Sequence, residues 1–130
     1  MYSEKTRSIK VCVEPTYLED QSEPDGDYFV WAYRVVIENE GGETVQLRSR
    51  YWQIADAGGR VHEVRGDGVV GEQPVLHPGE RFEYTSGTPL GAPSGIMFGK
   101  YQMETGGGET FEVNIPAFSL DCPHTKALMN

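Results

Sequence analysis

The chain has 130 residues and a formal net charge of −9, from 20 acidic side chains against 11 basic ones. That length fits one domain around one core. The acidic balance argues against a sequence-independent nucleic-acid binder, which neutralises phosphates with a basic surface, and against docking on anionic lipid. With 16 Gly, 8 Pro, 7 Tyr, 5 Phe and 2 Trp, the composition favours an all-β domain over a helical bundle.

Period-2 alternation predicts the elements in order. Ile9, Val11 and Val13 alternate with Lys10, Cys12 and Glu14, and the polar stretch QSEPDGD follows as a turn. From Tyr28 to Glu38, Phe29, Trp31, Tyr33, Val35 and Ile37 share one face while Tyr28, Val30, Ala32 and Val36 make the other largely apolar. That pattern is expected of a central strand covered in part on both sides. NEGGE reads as a hairpin turn into a return strand that begins at Val45 and Leu47, where Trp52 and Ile54 later alternate with Tyr51, Gln53 and Ala55. Val61 and Val64 fall out of phase by one residue, which predicts a bulge or an irregular strand ending in the glycines after Arg65. After the turn HPGE, Phe82 and Tyr84 mark another strand. Met97, Tyr101 and Met103 then share one side of a strand over 96–103. GGGE closes a hairpin into Phe111, Val113 and Ile115, with Phe118 and Leu120 trailing after Pro116.

These segments predict an all-β, immunoglobulin-like or fibronectin-type-III-like antiparallel sandwich of about seven or eight strands. A barrel is the competing arrangement. Residues 1–130 read as one domain with its core over about 7–121 and a flexible tail over 122–130. The N-terminal stretch MYSEKTRSIKVCVEP lacks the apolar run of a signal peptide, and no later stretch nears the roughly 20 apolar residues of a membrane span. Cys12 and Cys122 are therefore expected as free thiols, and the chain as cytoplasmic.

Four constellations invite chemistry. Gly66-Asp67-Gly68-Val69-Val70-Gly71 spells G-x-G-x-x-G, a dinucleotide signature only where a strand feeds a helix. Here EQPVLHPGE follows with two prolines, so a crossover helix cannot continue, and a glycine-rich turn between strands is expected instead. The alternative keeps Gly66, Asp67, Gly68 and Gly71 as a small anion nest for phosphate or pyrophosphate. Asp121, Cys122 and His124 are a weak metal candidate, since structural zinc takes four ligands. The acidic loop Glu19, Asp20, Glu23, Asp25 and Asp27 lacks the ligand spacing of a calcium loop. Arg48, Arg50, Trp52 and Arg65 mix basic and aromatic groups and form the candidate partner-binding surface. On that reading substitution of Arg48, Arg50 or Trp52 would weaken capture of a partner with little loss of stability. Ser49, Ser86 and Ser94 have no G-x-S-x-G context, and no enzyme is expected.

Several strings then agree in order with one family. SRYWQI, the G-D-G-V-V-G-E-Q-P run, L-x-P-G-E-x-F-x-Y-x-S-G and G-x-M-x-G-x-Y-x-M closely resemble the ApaG family, and the resemblance extends over roughly residues 7–121. It implies a fibronectin-type-III-like sandwich and a small stand-alone bacterial protein linked genetically to cobalt and magnesium tolerance. The family's label as an efflux protein fits poorly with a chain without a membrane span, so the implied link is indirect. Related eukaryotic domains, in an F-box substrate adaptor and a DNA-polymerase-interacting protein, resemble interaction modules. The family's G-x-G-x-x-G run, here Gly66, Gly68 and Gly71, has been proposed as a nucleotide or pyrophosphate site. The expected function is thus a non-enzymatic protein-binding module without a cofactor. Phosphate or nucleotide binding at Gly66–Gly71 and divalent-cation sensing are the alternatives. Neither direct nucleic-acid binding nor membrane binding is expected. An edge strand free to pair across a two-fold axis leaves a homodimer open.

Overall fold

The structure is a computed structural model that describes residues 1–123. Nine strands make two antiparallel layers: β1 (Tyr2–Thr6), β2 (Ile9–Tyr17), β3 (Phe29–Asn39), β4 (Val45–Asp56), β5 (Val61–Asp67), β6 (Val75–Leu76), β7 (Arg81–Leu90), β8 (Ser94–Thr105) and β9 (Thr110–Asp121). One sheet runs β1-β2-β3-β7. The other runs β5-β4-β8-β9, and β6 pairs with β4 beyond the end of β5. The expected sandwich is therefore present, with two more elements than the minimum read from alternation. Two short 3-10 turns over Glu19–Gln21 and Pro24–Gly26 are the helical elements among the described residues, so no described helix is long and apolar enough to cross a membrane.

Alternation explains the layers. Along β3, Phe29, Trp31, Tyr33, Val35 and Ile37 are buried and the intervening residues half-buried, because β2 and β7 flank it on both sides. Val11, Val13, Leu47, Met97, Tyr101, Met103, Val113 and Leu120 complete a continuous core. β1 and β2 pack over β9, and the β9 amide of Asn114 donates to Thr6 Oγ1 at 3.2 Å, which closes that margin. The opposite margin is left to β5 and β7.

Three buried polar residues fasten the connections. Asn39 donates to the carbonyls of Glu43 (2.7 Å) and Leu76 (3.0 Å) and accepts from the Gly41 amide. Asp56 accepts from the amides of Gly58 (2.9 Å) and Arg60 (3.0 Å), and Thr105 Oγ1 accepts from the Glu109 amide. Each buried polar group thus satisfies a turn that would otherwise carry open backbone groups.

The bulge expected near Val61 and Val64 lies elsewhere. β5 pairs with β4 in unbroken register from Val61 to Asp67. Val61 stands opposite Ala55 on one face and Val64 opposite Trp52 on the other, and both are exposed because this edge strand overhangs its neighbours. The register breaks instead between Leu47 and Ser49, where Arg48 is the extra residue of β4, and between Met97 and Gly99, where β9 carries the extra residue beside Pro116. The first of these bulges shapes the site.

Candidate functional site

A strand that kept the phase of Val45 and Leu47 would turn Arg50 toward solvent. The extra residue at Arg48 reverses the alternation, so Arg50, Trp52 and Ile54 share the inner face while Ser49, Tyr51 and Gln53 face outward. Two surfaces result, one on each side of β4.

The G-x-G-x-x-G run is a hairpin excursion along the edge of β4. The chain leaves β5 at Gly68, whose amide donates to the Arg48 carbonyl (2.9 Å), and returns with the Leu47 amide donating to the Pro74 carbonyl. Between them Val69 and Glu72 exchange amide–carbonyl bonds of 2.8 and 2.9 Å around Val70 and Gly71, both at positive φ (44° and 82°). That is the geometry of a tight two-residue turn twisted to match its strands. Val70, β-branched and left-handed, is a strained residue held in place because Val69 beside it is wholly buried. The expected turn is what the glycines build.

Three amides of this loop are closed to an anion. Those of Gly68, Val69 and Glu72 are spent on carbonyls, and the inward-facing groups are themselves carbonyls. Arg50 Nη1 donates to the carbonyls of Asp67 (3.1 Å) and Gly68 (2.8 Å). Its guanidinium lies so close over Gly66 that a Cβ there would meet it at 2.9–3.0 Å. Arg50 is therefore the cation that fastens this loop.

On the inner side, a cleft of about 160 Å³ opens between the sheets at the β5/β7 margin. Tyr33, Trp52 and Met97 lie at its buried base, Val64 and residues 86–88 at its exposed margin, and Arg50 borders it. Beyond Arg50, the Tyr84 and Tyr101 hydroxyls share a buried hydrogen bond of 2.5 Å. Tyr33 bonds Ser86. Burial raises all three phenols above their ordinary range, with Tyr84 and Tyr101 moved furthest.

The sign of that shift gives an alkaline prediction. A phenol whose folded value lies above its unfolded value of about 10 contributes stability that is complete below pH 10 and is lost as pH climbs toward the folded value. Thermal melts recorded between about pH 8 and 12 are expected to fall steeply above pH 10, and Tyr101→Phe is expected to flatten that decline. A decline unchanged in Tyr101→Phe would assign it to other groups.

On the outer side, a hollow of about 390 Å³ is walled by Ser49, Tyr51, Arg65, Asp67, Lys100 and Gln102. The Arg65 guanidinium lies 4.4 Å from the Tyr51 ring centroid and Lys100 Nζ lies 5.9 Å from it. Glu63 and Glu112 pair with Arg65 (3.4 Å) and Lys100 (2.9 Å) at the rim. Next to the hollow, Ile96 and Phe98 stand 51% and 37% exposed on the same face, near Val61.

The candidates named from sequence thus separate. Arg65, Gly66 and Asp67 line the outer hollow, which Arg50 also borders. Arg48 lies on the exposed side of the bulge, bonded to Gln46 and 3.8 Å from Glu104, and Arg50 turns inward. Trp52 does not belong to a contact surface. It is 2% exposed, with edge-to-face neighbours in Tyr33 (5.4 Å) and Phe118 (6.0 Å), so packing and not a partner holds it. Cys122, a free thiol like Cys12, is buried in the core with its amide on the Pro93 carbonyl, whereas Asp121 is exposed, so the two do not present ligands together. His124 and most of the tail over 122–130 lie outside the described residues. Among the described residues no three His, Cys, Asp or Glu side chains gather to hold a metal, the acidic loop included. The inter-sheet tyrosines and Ser86 were not legible as a polar cluster. Alternation placed Tyr33, Tyr84 and Tyr101 in strands but not beside one another.

The fold and its two surfaces define a small two-sheet antiparallel sandwich whose conspicuous features are a fastened hairpin and the recesses on either side of β4. Comparison with known proteins makes that class specific. The family model described as the ApaG domain matches residues 19–105, and the chain belongs to that family. It is 75% identical to Protein ApaG of Parvibaculum lavamentivorans and 68% identical to Protein ApaG of Rhodospirillum centenum, in both cases over 130 residues and the whole of each chain. It also resembles the crystal structure of the ApaA protein from Bordetella pertussis, with a TM-score of 0.85 at 48% identity, over 94% of this chain and 96% of that one.

Proposed function

We propose that this ApaG-family protein is a non-enzymatic protein-interaction module whose contact surface is the outer face of the β5-β4-β8-β9 sheet. The observation that carries the reading is the exposed group of Ile96, Phe98 and Val61 beside a hollow built on Tyr51, Arg65 and Lys100. Outward positions of a sandwich sheet are normally polar. Aromatic residues and arginine are the types that anchor protein interfaces, with charged groups such as Glu63 and Glu112 left to the rim. The nearby serines support the absence of catalysis, because Ser49 faces Gln102 and Ser86 faces Tyr33 rather than a base. On this reading any effect on cobalt or magnesium tolerance runs through the partner. The phosphate alternative at Gly66–Gly71 has weaker support, since the amides of Gly68, Val69 and Glu72 are spent within the fold.

The test is affinity capture with mass-spectrometric identification, followed by measured affinity for the partner found. The double variant Ile96→Ser/Phe98→Ser and, separately, Arg65→Ala are expected to weaken that affinity by at least about tenfold, the scale of an interface anchor. Their melting temperatures should stay near that of the parent, because exposed sites shift stability by only about 0.5 kcal/mol. Undiminished affinity in both variants would move the contact surface elsewhere.

A further inference from the structure

We infer that the inter-sheet cleft is a binding site for a small organic acid, its body seated between Val64 and the margin over residues 86–88 and its carboxylate held by Arg50. The cleft lies on the opposite face of β4 from Ile96, Phe98 and Val61, and although Arg50 borders both recesses, the Ile96/Phe98 variant and Val64→Trp read the two sites separately.

Arg50 carries the argument. Both hydrogens of Nη1 are directed to the Asp67 and Gly68 carbonyls, and Gly66 covers one face of the guanidinium. Nε and Nη2 have no protein hydrogen-bond partner among the described residues, and Arg50 makes no ion pair there. Arg7, Arg34, Arg48 and Arg65 each lie against a glutamate, and Arg60 and Arg81, which also make no ion pair among the described residues, are exposed. In a chain with 20 acidic residues, an arginine half-buried between two sheets without a carboxylate is conspicuous. The Nε/Nη2 edge is the planar fork that takes a carboxylate with two parallel hydrogen bonds. Fastening Nη1 to the loop holds the side chain in one orientation, so little side-chain freedom is lost when a ligand binds.

The rest of the cleft selects the ligand's body. Val64, Ser86, Gly87 and Thr88 line its accessible margin, over a base of Tyr33, Trp52, Ile54 and Met97 that is nearly closed to solvent. A volume of about 160 Å³ suits a body no larger than a benzene ring, which an apolar cavity of about 150 Å³ accommodates. A nucleotide is too large for this space, and inorganic phosphate would leave the exposed Val64 side chain without a partner.

The proposal is tested with the full isotope-labelled chain, titrated with benzoate, benzamide and inorganic phosphate while the Arg50 Nε–H signal and the Val64 and Gly87 amides are followed. Benzoate is expected to shift all three signals to saturation. Benzamide, with the same ring but no charge, should bind at least about tenfold more weakly, because charge-assisted forks are the stronger hydrogen bonds. Phosphate should leave the signals in place. Arg50→Lys keeps the charge but removes the fork and should weaken benzoate by about tenfold or more. Should that variant fail to fold, Val64→Trp decides. It fills the mouth from an exposed edge position and is expected to abolish the benzoate shifts at an unchanged melting temperature. Benzoate that leaves Arg50 Nε–H unmoved, benzamide or phosphate that matches benzoate, or a Val64→Trp chain that binds like the parent would each overturn the assignment.

Discussion

Replacing Trp52 with alanine is expected to cost about 3–5 kcal/mol, the largest loss of any single side-chain truncation considered for this chain. The indole is 2% exposed and sits where the two sheets meet. It packs edge-on against Tyr33 of β3 at 5.4 Å and Phe118 of β9 at 6.0 Å, so it joins one layer to the other and β4 to a strand two places away. Aromatic pairs of this kind add roughly 0.5–1.5 kcal/mol each beyond burial. Truncation would also enlarge the adjoining cleft, because the floor that Trp52 supplies is lost. A domain of this size holds only about 5–15 kcal/mol in total, so the variant should unfold at a much lower urea midpoint with the denaturant slope little changed. A midpoint within experimental error of the parent, with partner affinity lost, would restore Trp52 to the contact surface.

That outcome bears on how the sequence is read. Alternation of Trp52 and Ile54 with Tyr51 and Gln53 already separates two faces, but it does not say which is inside. The deciding signal is the change of phase between Leu47 and Trp52, odd-numbered apolar residues giving way to even-numbered ones. Such a slip is what one extra residue in a strand produces. The register places that residue at Arg48, which sends Trp52 inward and carries Arg50 with it. The slip between Val61 and Val64 looks similar but has another cause: on an overhanging edge strand neither face is buried, so apolar residues there obey no phase. β1 escaped notice because YSEKT has no apolar face. Backbone pairing with β2 and the left-handed pair Arg7 and Ser8 hold it. The polar interior was out of reach for a related reason. Tyr33, Tyr84 and Tyr101 come from β3, β7 and β8, and only the packing of one sheet on the other brings their hydroxyls together. The four strings that carry the family resemblance nonetheless supply its parts: Arg50 from SRYWQI, Gly66 from the glycine run, Tyr84 and Ser86 from the L-x-P-G-E string, and Tyr101 from the G-x-M string.

The second large effect is expected at Gly68. Its φ of +65° is a conformation that side chains resist, and a Cβ there would lie 2.3 Å from the backbone carbonyl oxygen of Glu72. No side-chain rotation relieves a clash with backbone, so Gly68→Ala must open the hairpin. Opening it would pull Val69 from the core and remove one of the two carbonyls that fasten Arg50. A loss of about 3 kcal/mol or more is expected, in the range of strained and overpacked sites. Gly71→Ala provides the internal control. Its φ is +82° but nothing lies within 4 Å of the added methyl, so only the left-handed penalty of about 1–2 kcal/mol applies. The ranking separates the two meanings of the motif. Glycines that let a phosphate approach would be dispensable for folding and costly for ligand binding, whereas glycines that turn the chain are costly for folding whatever is bound. Urea unfolding of the two variants beside the parent reads this directly. Equal and negligible losses at both positions would reopen the phosphate reading, while a loss at Gly68 well above that at Gly71 assigns the motif to the turn.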